Sequence, residues 1–106
     1  MNQVRVTTEL RLAPSVSGDQ QRDELAAFAA FCAARIARHV AGVHSWDVYL
    51  VAGLDGNAEV IVRAKLDTMT VEMAATGCEP AVAIWNAMSK IEQPLRETVA
   101  ALTRAA

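Results

Sequence analysis

Residues 58–77 read AEVIVRAKLDTMTVEMAATG. Ala58, Val60, Val62 and Ala64 alternate with Glu59, Ile61, Arg63 and Lys65. Beyond Asp67 and Thr68, Met69, Val71 and Met73 alternate with Thr70, Glu72 and Ala74. A period of two belongs to a strand whose two faces meet different surroundings. The short polar join makes the two runs a hairpin, and Gly77 ends the second. Met69, Val71 and Met73 then share the core face with Val60 and Val62.

The same signals extend in both directions. Upstream, Asp55-Gly56 is a hairpin turn signal. In HSWDVYLV, residues 44–51, Trp46, Val48 and Leu50 point one way and Asp47, Tyr49 and Val51 the other. Before that run, Gln20 to Ala41 has a helical period. Leu25, Ala29, Cys32, Ile36 and Val40 form one stripe, and Gly42 is a natural stop. APSVSGDQ, residues 13–20, is a loop in which Ser17 or Asp19 can cap the helix. VRVTTEL, residues 4–10, reads as a half-buried strand.

Downstream, Pro80 suits the first turn of a last helix. Its stripe runs Ile84, Met88, Ile91, Leu95, Val99 and Leu102, and stays in phase past Pro94. The element order is β-α-β-β-β-α. A helical crossover makes the first two strands parallel neighbours, and hairpins make the last three a meander. The expected class is α+β: a four-stranded mixed sheet with two helices packed on one face. The 106 residues suit a single domain, 1–106, with one core.

Composition and charge exclude several functions. Lys plus Arg number 10 and Asp plus Glu 12, a net charge of −2, so a strongly basic DNA binder is not expected. The longest apolar run, LAAFAAFCAA, is too short to cross a bilayer, and MNQVRVTTEL lacks the apolar core of a signal peptide. The expected location is the cytoplasm, with Cys32 and Cys78 both free and buried. The five glycines sit singly, so no phosphate-binding loop is present, and neither G-x-S-x-G, H-E-x-x-H nor C-x-x-C occurs. His39, His44 and Asp47 lack the spacing of a metal site. No enzyme activity, cofactor or metal is expected.

CAARIARHV, WDVYLV, AEVIVRA, VEMAATG and AIWNAMSKIEQPLRE together resemble the ribosome hibernation-promoting factor family, also called ribosome-associated inhibitor A or sigma-modulation proteins. Arg35, Arg38 and His39 match the basic end of the family's first helix. Ala83, Ile84, Ala87, Lys90, Ile91, Glu92, Leu95 and Arg96 match its last. The resemblance implies binding to the small ribosomal subunit near the decoding region, with basic helix residues on ribosomal RNA and translation held idle. Arg35, Arg38, His39, Lys90 and Arg96 are the RNA-binding candidates it implies.

The chain also departs from the family pattern. Cys32, Trp85, Gln93 and Pro94 stand where the family carries lysine, aspartate, arginine and glutamine, and ETVAALTRAA replaces a basic tail. The alternative is a diverged non-enzymatic member that binds a protein partner or itself. Phe31 lies about 120° from Leu25, and Trp85 about 100° from Ile84, at the edges of their stripes. With Tyr49 and Ile61 on the open sheet face, they are the candidates for such an interface.

Overall fold

The computed structural model describes residues 5–11, 19–52 and 57–105, with side chains over 23–50 and 57–104. Its elements are β1 (Arg5–Arg11), α1 (Asp19–Ala37), β2 (Ser45–Ala52), β3 (Ala58–Lys65), β4 (Thr70–Gly77) and α2 (Pro80–Ala105). The expected cap Ser17, the Asp55-Gly56 turn and Val4 lie outside the described residues.

The centre is an antiparallel meander, β2-β3-β4. Trp46 faces Ala64, Val48 faces Val62, and Leu50 faces Val60 across β2 and β3. Val60 faces Ala75, and Val62 faces Met73, across β3 and β4. β1 runs parallel beside β2, which gives the order β1-β2-β3-β4. The register places the apolar residues of the meander on one face, as the alternation requires.

That face is covered by helices. α2 packs on β3 and β4, and α1 lies against β1 and α2. Every residue of the expected α1 stripe is buried, from Leu25 to Val40. In α2, Ile84, Met88, Ile91 and Leu95 are buried, Val99 is half-buried and Leu102 is exposed. The stripe therefore outruns the core by about one turn, beyond Val99. α2 continues through Pro94, whose missing N–H leaves the helix held by packing on both sides. Leu25 and Phe28 share a groove with Pro80 and Ala81, while Ala41 and Gly42 share another with Leu102 and Thr103. The two helices thus run side by side in the same direction.

Three expectations need correction. Met69 is 44% exposed, because the turn before β4 closes from Leu66 N–H to the Met69 carbonyl at 2.8 Å. Leu66 takes the core place instead, at 9% exposure. Cys78 is exposed; it sits in the bend between β4 and α2. α1 ends at Ala37 and not at Ala41. The N–H groups of His39 and Val40 both reach the Ile36 carbonyl, at 2.9 and 3.0 Å, and this turn swings Val40 and Val43 into the core. Gly42 still takes the left-handed conformation, φ 96°.

Gly77 is needed for a different reason. A Cβ there would stand 2.6 Å from the backbone N of Ala83. Only glycine allows β4 to hand over to the first turn of α2 so closely.

Candidate functional site

The outer surface of the helix pair brings most of the candidate residues together. On α1, Phe31 and Arg35 follow one turn apart, with Arg38 in the turn just beyond the helix, and Arg35 faces α2. On α2, Trp85, Ser89, Glu92 and Arg96 follow at spacings of about one turn. Between them lies a groove of about 150 Å³, walled by Cys32, Arg35, Trp85, Met88, Ser89 and Glu92.

Trp85 organises the upper part of the groove. Its ring stacks with that of Phe28 at 6.4 Å between centroids and 26° between planes. The Arg35 guanidinium lies over it at 5.0 Å. A cation over an exposed indole contributes about 0.5–1 kcal/mol. Trp85 thus joins α1 to α2 and remains 41% exposed. Phe31, at 61%, makes no ring contact with a described residue.

The charges are partly internal. Arg96 donates to Glu92, one turn back, at 3.2 Å. An exposed pair of this kind adds only about 0.3–0.5 kcal/mol, but it holds Glu92 at the groove wall. Arg38 and His39 are exposed in the turn that ends α1, and neither forms an ion pair with a described residue. Cys32 forms part of the groove floor at 3% exposure. Burial pushes its thiol pKa up, and the Arg35 charge pulls the other way.

Lys90 is not part of this group. It lies about 120° around α2 from Arg96. One turn before it, the Asn86 amide donates to the Thr76 carbonyl of β4 at 3.0 Å, so that flank borders the sheet edge. The sequence places Lys90 and Arg96 six residues apart, and six residues turn a helix well away from a common face.

The open sheet face has its own network. Tyr49 and Ile61 are cross-strand partners and both are half-buried. The Arg63 guanidinium lies over the Tyr49 ring at 5.1 Å and pairs with Glu72. The Glu72 hydrogen bond, together with its charge, pushes the Arg63 pKa further up. Lys65 pairs with Asp47 at 3.0 Å. Tyr49 and Ile61 are therefore screened by the paired charges around them.

The histidines do not form a metal site with Asp47. His44 pairs with Asp67, and Asp47 with Lys65. Among the described residues no group of three metal-ligating side chains converges. None of the described helices is long and apolar enough to cross a membrane. Ser89 in the groove wall and Phe28 against the Trp85 ring are the residues here that sequence reasoning did not select. Phe28 follows Leu25 by three positions on α1, which is the only sequence signal for it.

The domain is thus defined by its class: an α+β sheet, open on one face, with two codirectional helices on the other. Two solved structures share it. The N-terminal domain of Thermus thermophilus Protein Y has a TM-score of 0.67 and 18% identity, over 89% of this chain and 98% of that one. A ribosomal subunit interface protein from Coxiella burnetii has a TM-score of 0.60 and 15% identity, over 92% of this chain and 97% of that one. At such identities the likeness establishes the fold, which is the fold that the resemblance in sequence implied. No protein-family model matches the sequence, and no curated protein is similar to it in sequence.

Proposed function

We propose that this chain is a ribosome-associated, non-enzymatic protein of the hibernation-factor type. It acts in the cytoplasm as one domain, and it contacts the small subunit's ribosomal RNA through the outer surface of its helices. The observation that carries the proposal is the shared fold over nearly the full length of two structures, one of them a ribosomal subunit interface protein. Arg38 and His39 supply the exposed end of the contact, and Arg35 and Arg96 its middle. Guanidinium groups suit phosphate oxygens because their donors form a planar fork. Lys90, on the other flank, makes no part of that contact.

Few cations take part, so the affinity is modest and its salt response shallow. Three arginines predict a fall of about fortyfold between 50 and 200 mM salt, against about a thousandfold or more for a strongly basic binder. Co-sedimentation of the chain with small ribosomal subunits tests this. The expected result is binding at low salt that Arg38→Glu abolishes and Lys90→Glu leaves nearly unchanged. Absence of binding at low salt refutes the proposal.

A further inference from the structure

We infer that the groove between α1 and α2 takes a second copy of this chain, related by a two-fold axis that sets Arg35 of each protomer against Glu92 of the other. The anchors are Phe31 and Trp85. Both belong to the large apolar side chains that stand exposed among the described residues; Trp85 walls the groove, and Phe31 stands one turn before the wall residue Arg35 on α1. Aromatic side chains in this position contribute most to the affinity of protein interfaces.

The charges suit self-pairing. A two-fold interface uses one patch twice, so the patch must complement itself. Arg35 stands on the α1 wall and Glu92 on the α2 wall. A two-fold axis lying in the interface, parallel to the helices and along the groove, exchanges the walls. Each Arg35 then meets a Glu92, and neither wall meets its own sign. The net charge of −2 is small enough that two copies do not repel at a distance.

Other occupants fit less well. Bases stack on open aromatic faces, whereas the Trp85 ring is flanked by Phe28 and by Arg35. A drug-sized ligand occupies about 300 Å³ or more, against about 150 Å³ here. The inference does not depend on ribosome binding, and its test contains no ribosome.

Sedimentation equilibrium of the full chain, from micromolar to sub-millimolar concentration, is the test. The expected result is a mass that rises from monomer to dimer. Phe31→Glu raises the dimer Kd about tenfold or more. Arg35→Glu and Glu92→Arg each raise it about threefold or more, and the double reversal returns it to within about threefold of the parent. Circular dichroism of each variant checks that the helices are retained, and Phe31→Ser serves as the second probe of the anchor should Phe31→Glu disturb α1. A monomer throughout the range overturns the inference. So does a dimer indifferent to both Phe31 substitutions, or a double reversal as weak as its two single changes combined.

Discussion

Replacing Gly77 by alanine tests how tightly β4 is joined to α2. The added Cβ would lie 2.6 Å from Ala83 N, and 3.0 Å from both Ala83 Cα and Val82 C. Comfortable separation for such atoms is about 3.5–4.0 Å. Roughly an ångström of movement is therefore required. All three obstructing atoms are backbone, so no side chain can rotate away. The Ala83 N–H also donates to the Glu79 carbonyl at 3.0 Å, so moving it loosens the first turn of α2. Overpacking against a fixed wall costs about 1–3 kcal/mol. Alanine gives back about 0.4–1 kcal/mol by restricting the unfolded chain. The net loss is about 1–2 kcal/mol, which at this chain length lowers Tm by roughly 5–15 °C. Thermal melts followed by far-ultraviolet circular dichroism, with urea titrations at 25 °C, measure it. Gly42→Ala is the contrast. Nothing lies within 4 Å of its added Cβ, and its cost comes only from φ 96°, about 1–2 kcal/mol. A Gly77→Ala protein with the parent's midpoint would show that the β4–α2 junction yields freely, and the reasoning would fail.

Two further outcomes concern single side chains. In the native protein near pH 8, a thiol reagent should modify exposed Cys78 and leave Cys32 until the fold is denatured; two equivalents reacting at once would contradict its burial. The folded thiol pKa of Cys32 lies above its ordinary value of 9.0, so its contribution is fully present below that pH and is lost as pH rises through the folded value. The urea midpoint should then fall more steeply above pH 9.0 in the parent than in Cys32→Ala. Pro94→Ala supplies an N–H that can reach the Lys90 carbonyl and removes the ring that crowds it, so stability should rise by about 1–3 kcal/mol, read as a higher Tm. A lower Tm would mean that the half-buried ring of Pro94 packs better than a methyl group.

The sequence displayed the fold where its periodicity was strict. Trp46, Val48 and Leu50 alternate with polar partners, and they are fully buried. The α1 stripe was equally clear, because five apolar positions fall on one side of a helix. The ends of elements were harder. Alternation alone could not tell that Met69 belongs to a turn while Leu66 fills the core, since both are apolar and only the carbonyl that accepts the Leu66 N–H decides it. The groove was less legible still. Arg35 and Trp85 are fifty residues apart in the chain, and their contact depends on how two helices lie on the sheet. Lys90 and Arg96 look alike in sequence, yet they face different surroundings because α2 turns by about 100° per residue.

Because α1 and α2 point the same way, their macrodipoles add along the molecule instead of cancelling. Asp23 and Glu24 lie in the second turn of α1 and Glu79 just before α2, toward the positive poles, while Arg35 and Arg104 lie in the last turns, with Arg38 just beyond α1. The two last-turn arginines steady the helix ends beside them. Together these positions leave acidic side chains at one end of the helix pair and basic ones at the other, a lengthwise polarity that a net charge of −2 conceals. A polyanion would meet this protein end-on, with the Arg38 turn leading, before any residue-specific contact formed.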